Sequence, residues 1–346
     1  MALALIFDEE YLDHETGEHP ESPARLSHAV HVLKETGIWQ RAVSVRPKRA
    51  TADDVALVHH PAYIRRVAEF ARNGGGHMTP DTVVSPRSYE VALLAVGGAM
   101  GAIDAVFSGV APALCLLRPP GHHAEAGAGM GFCLFNNVAV AARYALVRYR
   151  LNRVMVVDWD LHHGNGTERI FYEDDRVLFL SVHQSPAYPG TGWIGDVGWG
   201  RGEGYSINIP VPPGTGDEAY WHIFERVVLP VAERFAPELV LVSAGMDGHF
   251  RDPIGGLMLT SRGYAKMAWA LMQIAQEYSQ GRLVFILEGG YDLEGLGSSL
   301  ASVAAAVTGL KYEVGEEVPV FPWDEAAFSS RLEHVIRRHA AMWDLR

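Results

Sequence analysis

Residues 153–166 read RVMVVDWDLHHGNG, a short apolar run followed by acids, histidines and glycines. The first five residues predict a buried β-strand, Arg153–Val157, and the polar residues predict that it ends abruptly in a loop. In open parallel sheets, ligands bind beyond the carboxyl ends of the strands. We therefore expect a functional site directly after residue 157.

The rest of the chain alternates between short apolar runs and helical patterns, which predicts an α/β fold with a mainly parallel sheet covered on both faces. The other predicted strands are Leu3–Phe7, Ala113–Leu117, Val177–Val182, Leu239–Ser243 and Leu283–Leu287. Helices are predicted at about 22–35, 61–73, 86–107, 135–149, 217–235 and 260–279, after residue 292, and at about 326–342. We expect residues 185–216 to form ordered loops beside the site and residues 310–325 to form a surface connection. No repeat or boundary is visible, so a single domain is predicted over residues 1–346.

The composition excludes some classes of protein. The chain has 346 residues, of which 48% are hydrophobic and 20% charged, and this is the composition of a globular protein. Its formal net charge of −12 argues against a nucleic-acid partner, and it fits either attraction of a cationic substrate or simple solubility. The two cysteines, Cys115 and Cys133, form neither a disulfide framework nor a zinc-finger pattern, and we expect both to be buried.

The start of the chain and its apolar runs indicate no targeting signal. The first residues, MALALIFDEE, lack the basic region of a signal peptide. We expect no run to reach the roughly 18 apolar residues that a membrane span needs. We therefore expect a soluble cytoplasmic protein without a membrane partner.

The loop after residue 157 has the residues of a metal site. Alternate side chains of an extended segment face the same side, so Asp158, Asp160 and His162 can approach one point, and Asp247 follows another predicted strand. Buried carboxylates need a compensating partner. One histidine with two aspartates suits a catalytic site with an open position, and these ligands suit zinc or iron(II) better than calcium. The alternative is a salt-bridged loop with capping aspartates.

Three further polar clusters follow predicted strands. The histidines of RPPGHH, His122 and His123, suggest proton transfer, with Asp158 and Asn165 available to orient them. In EGGY, two glycines allow the backbone to approach a ligand, and Tyr291 could direct its hydroxyl towards an oxyanion. A single histidine in a loop is usually structural, and a single tyrosine is more often a packed side chain.

These motifs occur in a familiar order. RPPGHHA, GFCLFNN, DWDLHHGNGT, SAGMDGHFRDPIGG and EGGYDL resemble the histone deacetylase and acetylpolyamine amidohydrolase superfamily, most closely its class II and bacterial histone deacetylase-like members. HPESPARL and PRSYEVALLAVGGA also match. The resemblance covers roughly residues 5–310, which leaves residues 311–346 as a C-terminal extension with a helix.

The resemblance implies the arginase–deacetylase fold, with a sheet of about eight strands, and a zinc ion held by Asp160, His162 and Asp247. It also implies that His122 pairs with Asp158, whereas His123 serves as general base and then acid. Tyr291 would polarise the acetyl carbonyl.

This chain departs from some members of the superfamily. Asn165 stands where some relatives have an acid, which should keep His123 easier to deprotonate. The binuclear arginase branch has a further aspartate after its metal motif, whereas this chain reads His163-Gly164-Asn165 there. A binuclear ureohydrolase is therefore disfavoured.

The superfamily also carries potassium sites. Asp158 and Ser181 match the inner site, together with backbone carbonyls of Asp160, His162 and Val182. Phe171 and Val177 match parts of the outer site.

The resemblance also places a substrate tunnel. Gly131–Phe132 and Tyr188 match its aromatic walls, although core packing is the alternative for Tyr188. Gly289 would let the backbone approach the ligand. Ile254 stands where polyamine-selective relatives have an acid. Asp81 is either a rim residue or a turn former, and Arg25 either lines an acetate exit path or forms a surface ion pair.

The predicted function is a zinc-dependent amidohydrolase that removes acetyl or other acyl groups from lysine side chains or similar amines. The predicted partner is thus an acetylated lysine peptide or a small acetylated amine, and a homo-oligomer stays open. The alternatives are an acetylpolyamine or small-metabolite deacetylase and a non-catalytic interaction module on the same fold.

Overall fold

The run that opens the metal motif is a strand in the computed structural model, which describes residues 2–346. This strand, Val154–Asp158, is buried along its whole length, as expected for a central strand of a parallel sheet. The described residues form these strands: β1 (Ala4–Ile6), β2 (Val43–Val45), β3 (Gly76–His77), β4 (Val83–Val84), β5 (Ala113–Cys115), β6 (Val154–Asp158), β7 (Val177–Gln184), β8 (Ser206–Val211), β9 (Leu239–Ala244) and β10 (Leu283–Leu287).

Helices connect the strands. They are α1 (Ala24–Glu35), α2 (Ile38–Arg41), α3 (Ala52–Val55), α4 (Pro61–Arg72), α5 (Ser88–Phe107), α6 (Asn137–Arg148), α7 (Asn165–Phe171), α8 (Asp217–Ile223), α9 (Leu229–Phe235), α10 (Ser261–Tyr278), α11 (Leu293–Thr308) and α12 (Glu325–Trp343). A π-helical turn, Phe224–Val228, joins α8 to α9, so that the predicted helix at 217–235 is continuous.

Within residues 2–346, eight strands form one sheet in the order β2-β1-β5-β10-β9-β6-β7-β8, and every neighbouring pair is parallel. This confirms the predicted α/β fold with a mainly parallel sheet of about eight strands. Strands β5, β10, β9 and β6 are consecutive neighbours in this order. The four polar motifs therefore emerge side by side at one edge of the sheet.

Two of the eight strands were not predicted. Ser206–Val211 fell within the stretch predicted to be loop, and this part of the prediction was wrong. Its buried Ser206 and Asn208 break the apolar pattern of a central strand, but the Asn208 amide is paired with the carboxylate of Glu168 at 2.5 Å. Val43–Val45 is a short and largely exposed edge strand. In both cases, tertiary partners rather than local hydrophobicity decide the structure.

Helix α5 contradicts the expectation that no apolar run is long enough to span a membrane. By length and composition it is long and apolar enough to cross a membrane. It packs, however, against β1, β5 and β10 and against α6, and 72% of its apolar window is buried. A core helix passes the same compositional test, so α5 fills the interior of this fold.

The C-terminal residues pack onto the same structure. The connection before α12 is mostly exposed, as predicted, but the Glu316 carboxylate contacts His249 Nε2 at 2.9 Å and Ser261 Oγ at 2.7 Å. In α12, the Trp343 ring lies against Tyr205 and its indole N–H donates to the Gly204 carbonyl at 3.0 Å. Cys115 and Cys133 are buried free thiols, as predicted.

A buried histidine fixes the loops that lead to the polar edge. His59 donates from Nδ1 to the Glu125 carbonyl at 3.0 Å, and its Nε2 accepts the Asn136 backbone N–H at 2.9 Å. Asn136 caps the start of α6. Because burial disfavours the charged imidazole, the pKa of His59 is lowered to about 4.

We expect this histidine to make folding sensitive to mild acid. Its pKa is lower in the folded chain than in the unfolded chain, so its contribution is complete above about pH 6.5 and is lost as the pH falls towards 4. The shift corresponds to about 3 kcal/mol. Denaturant unfolding of wild type and His59→Gln across this range should show a smaller pH-dependent loss in the variant. Parallel pH dependences would contradict this assignment.

Candidate metal centre and active site

Three predicted metal ligands meet at the polar edge of the sheet. Asp160, His162 and Asp247 are buried, and one potential ligand atom of each lies within 4.8 Å of the others. His162 Nδ1 is 3.0 Å from Asp247 Oδ2 and 3.2 Å from Asp160 Oδ1. Asp160 and His162 follow β6 and Asp247 follows the adjacent β9, so the sheet itself brings them together.

Backbone N–H groups orient the two carboxylates. Leu161 N–H donates to Asp247 Oδ1 at 2.9 Å, and Gly289 N–H donates to Asp160 Oδ2 at 2.9 Å. A Cβ atom on Gly289 would collide with both carboxylates, so this position requires the close approach that only glycine permits. Gly289 therefore supports the metal group, which is Asp160, His162 and Asp247, and it does not line the neighbouring cavity.

The chemistry of this group fits a divalent cation. Burial and the charge of Asp160 raise the pKa of Asp247. Burial lowers the pKa of His162, but the two carboxylates facing its ring raise the pKa overall, to about 10. Two carboxylates and an imidazole thus share a desolvated site, and a bound cation would relieve the repulsion between the carboxylates. Nitrogen and oxygen donors in this number suit an open zinc or iron(II) site.

Asp158 does not join this group, which the alternation of side chains had allowed, but pairs with His122, as the resemblance implied. Its Oδ2 lies 3.0 Å from His122 Nδ1, and its Oδ1 accepts the Asp160 backbone N–H at 3.2 Å. Burial lowers the pKa of His122, but Asp160 and Asp158 raise it well above its usual value overall. The neighbouring carboxylates therefore favour the protonated form of His122.

His123 has the opposite environment. Its Nδ1–H donates to Asn165 Oδ1 at 2.8 Å, while the Asn165 amide donates to Glu125 Oε1 at 3.2 Å. This arrangement places the proton on Nδ1 and leaves Nε2 with a free lone pair. Burial, followed by the neighbouring His122 and His162, holds the pKa of His123 well below its usual range. Two adjacent histidines thus differ in their preferred charge.

Tyr291 is fixed through its backbone and its ring. Asp252 Oδ2 accepts the Tyr291 N–H at 2.6 Å, and the Arg25 guanidinium lies 4.9 Å from the ring centroid. Arg25 also donates to the carbonyls of Gly290 and Glu288, each at 2.6 Å. Arg25 is fully buried, so its alternative as a surface ion pair was wrong.

A cavity of about 190 Å³ opens onto these groups. It is lined by Asp81, His123, Gly131, Phe132, His162, Tyr188, Ile254 and Tyr291. The Phe132 ring meets Tyr291 edge-on at 5.8 Å, and Tyr188 meets His123 edge-on at 5.1 Å. Aromatic walls thus lead to a potential base and a hydroxyl donor.

The wall at Gly131–Phe132 has a constrained backbone. Both residues have positive φ, 55° and 69°, which is uncommon for a phenylalanine. Phe132 N–H donates to Thr82 Oγ1 at 3.2 Å, which helps to hold this conformation. At Gly131, a Cβ atom would collide with the His123 ring. The glycine therefore lets the wall lie directly against the histidine.

The mouth of the cavity combines apolar and acidic groups. Tyr188 and Ile254 are 39% and 40% exposed, so simple core packing was the wrong alternative for Tyr188. Asp81 Oδ1 accepts hydrogen bonds from Thr79 at 2.5 Å and Thr82 at 2.8 Å. Both predictions for Asp81 therefore hold, because its carboxylate stabilises a turn and also lines the cavity.

Only some of the residues predicted for potassium lie near the metal ligands, since Val177 pairs with Val154 at the opposite end of β6. Asp158 and Ser181 are paired across β6 and β7, and Val182 follows in β7. Ser181 Oγ is 2.9 Å from His183 Nδ1. Phe171 ends α7 and Val177 begins β7. Potassium binding at these positions stays a prediction.

Sequence reasoning assigned no role to two acids that contact catalytic candidates. Asp252 holds Tyr291, and Glu288 Oε2 accepts the N–H groups of Gly121 and His122 at 2.6 and 3.1 Å. Burial raises the pKa of each to about 7. Asp252 lies in the motif DPIGG and Glu288 in the motif EGGY. Their positions close to paired glycines were the sequence signal that could have indicated a role in the site.

Comparisons with known proteins agree with this geometry. The family model of the histone deacetylase domain matches residues 19–307. The chain belongs to the histone deacetylase family. It is 42% identical to a probable deacetylase of Archaeoglobus fulgidus, with 99% of each chain covered. It is also 40% identical to a histone deacetylase-like amidohydrolase of Pseudomonas aeruginosa, over 79% of this chain and 72% of the relative.

A solved structure of this family has the same fold. The crystal structure of the HDA15 HD domain superposes with a TM-score of 0.91 at 34% identity, covering 99% of this chain and 95% of that one. The family match spans all the predicted metal, catalytic and tunnel residues.

We expect added Zn²⁺ to stabilise the metal-free protein, because it would compensate the buried carboxylates of Asp160 and Asp247. Thermal unfolding should show a higher midpoint with the ion, and Asp247→Asn should greatly reduce this shift. Asp217→Asn is the matched control, because Asp217 is a partly buried carboxylate paired with Thr260 outside the metal group. An equal shift in wild type and Asp247→Asn would remove Asp247 from the ligand set.

Proposed function

We propose that the protein is a zinc-dependent deacetylase that hydrolyses the acetyl amide of a lysine side chain. The observation that carries this proposal is the buried group of Asp160, His162 and Asp247 at one end of a cavity that also exposes His123 and Tyr291. A zinc ion bound there would lower the pKa of a water molecule and polarise the substrate carbonyl. Iron(II) is the alternative ion, and potassium at the site beside β7 is proposed as structural.

The two histidines divide the proton chemistry. Nε2 of His123 is the free base, so it takes the proton from the attacking water and returns it to the leaving amine nitrogen. Asn165 keeps the other ring nitrogen protonated and aims this lone pair at the cavity. His122 remains paired with Asp158 and contributes positive charge close to the developing oxyanion.

Tyr291 supplies a hydrogen bond to the same oxyanion. Burial raises the pKa of its hydroxyl, which therefore stays protonated and able to donate. The hydrogen bond that its backbone N–H donates to Asp252 and the ring contact with Arg25 limit its movement. A donor fixed before the reaction begins is worth more than one that must reorganise.

The cavity favours a slender apolar chain. Phe132 and Tyr188 form aromatic surfaces, which suit the four methylenes of a lysine side chain. At the mouth, Ile254 offers no charge to a distal ammonium, and this favours acetyl-lysine. Asp81 supports the second candidate, an acetylpolyamine or a small acetylated amine, because its carboxylate lines the same cavity. A non-catalytic module would not need the paired environments of His122 and His123.

Removal of the Tyr291 hydroxyl should impair the chemical step. We expect Tyr291→Phe to lower kcat on an acetyl-lysine peptide about 10²–10³-fold, as for the loss of one oxyanion donor. Tyr220→Phe is the matched control, because it removes a buried hydroxyl that has no partner among the described residues. Wild-type turnover in Tyr291→Phe would refute the proposed role.

The charge at the mouth should determine substrate preference. We expect Ile254→Glu to raise kcat/KM for acetylspermidine relative to an acetyl-lysine peptide at least about tenfold, by pairing with a distal ammonium. Val147→Glu, on the exposed end of α6, adds the same charge outside the cavity lining. If wild type already turns over acetylpolyamines much faster than acetyl-lysine peptides, the lysine assignment is wrong.

A further inference from the structure

Glu288 links the two segments that carry the catalytic candidates. It follows β10 directly and lies three residues before Tyr291, and it is fully buried. Its Oε2 accepts the consecutive backbone N–H groups of Gly121 and His122. The side chain therefore spans from the tyrosine segment to the turn that presents both histidines.

The near end of this link is itself held in place. Arg25 donates to the Glu288 carbonyl at 2.6 Å, and the Arg25 guanidinium is fixed by the Glu21 carboxylate at 3.0 Å. Glu21 is buried and also contacts Arg118, which begins the histidine motif. The carboxylate of Glu288 thus extends from a firmly held backbone towards a turn that would otherwise have two unpaired N–H groups.

The second carboxylate oxygen of Glu288, Oε1, argues against a role in stability alone. Oε1 is buried and has no hydrogen-bond partner within residues 2–346. Burying a carboxyl group with one unpaired oxygen is costly in either protonation state. Local arrangements that oppose stability are expected chiefly at functional sites.

We propose that Glu288 is a positioning residue for deacetylation, and that it sets the His122–His123 turn relative to Tyr291. This inference rests on the proposed function. Glu288 does not line the cavity, so it acts through the backbone of the turn rather than on the substrate. His123, whose Nε2 transfers the proton, is the residue after His122, whose N–H Glu288 binds. Loss of this acceptor therefore displaces the base from the reacting atoms.

The fold contains a matched control at the opposite edge of the sheet. One carboxylate oxygen of Glu238 accepts the backbone N–H groups of Asn152 and Arg153 at 2.7 and 2.9 Å. These residues lie where β6 and β9 begin, whereas Glu288 lies where the central strands end. Both glutamates thus hold two consecutive N–H groups with one oxygen, but only Glu288 does so beside the catalytic candidates.

The test compares Glu288→Gln, Glu288→Met and Glu238→Met in the zinc-loaded enzyme with an acetyl-lysine peptide. Glutamine keeps an acceptor of the same length, whereas methionine keeps the length without a strong acceptor. We expect Glu288→Met to lower kcat about 10²-fold with little change in KM and an unchanged zinc content. Glu288→Gln should restore most of kcat, and Glu238→Met should lower the unfolding midpoint without lowering kcat.

An independent readout separates this inference from the proposed function. Nitrogen chemical shifts of the His122 and His123 imidazoles should change in Glu288→Met but stay close to wild type in Glu288→Gln and Glu238→Met. If wild type hydrolyses no acetylated amine, the proposed function fails, whereas these shifts still report the position of the turn. Glu288→Asp, which is too short to span, replaces the methionine variant if that variant does not fold.

Two results would overturn the inference. Unchanged kcat in Glu288→Met, with only a lower unfolding midpoint, would make the residue structural like Glu238. Equal loss of kcat in Glu288→Gln and Glu288→Met would assign the effect to charge rather than to position.

Discussion

Negative charge buried at the carboxyl edge of the sheet is the constraint on which the site depends. Asp158, Asp160, Asp247 and Glu288 are fully buried there, and each must be compensated. Asp158 pairs with His122, and Glu288 binds two backbone N–H groups. Asp160 and Asp247 both contact His162, and each also accepts an N–H donor from a neighbouring segment. These contacts leave a deficit of positive charge that a cation can fill. Each form of compensation also fixes a catalytic candidate.

Much of this arrangement could be predicted from the sequence because its signals are local. Apolar runs mark the central strands, and polar motifs begin where those runs end. Strand ends from one sheet edge must then meet, which places Asp160, His162 and Asp247 together without knowledge of the topology. The alternation of side chains also puts Trp159 in the core, where it packs against Phe285. Local spacing alone could not divide the roles of Asp158 and Asp160, because the division depends on His122, 36 residues away from Asp158; only the family resemblance implied that pair.

The features that sequence reasoning missed depend on distant backbone partners. Arg25 was left undecided between the site and the surface, and its acceptor at Gly290 lies 265 positions away. Glu288 and Asp252 hold N–H groups of other loops, and nothing in their own neighbourhoods specifies those loops. Ser206–Val211 was missed for a related reason, since the partners of Asn208 make a buried polar strand tolerable. Burial of polar groups is decided by tertiary structure, whereas burial of apolar groups is visible in the pattern.

The position of β10 has a consequence for biosynthesis. It is the last strand of the sheet to leave the ribosome, yet it lies between β5 and β9 and alone joins β2-β1-β5 to β9-β6-β7-β8. Domains emerge from the amino end during synthesis, and pairing of distant strands is slow. Strands β6 and β9 can therefore pair on a nascent chain before β10 adds the tyrosine segment and the Gly289 N–H donor to Asp160. The four polar motifs can meet only when translation of the sheet is complete, so a chain that ends before β10 would lack both Tyr291 and the Gly289 N–H that orients Asp160.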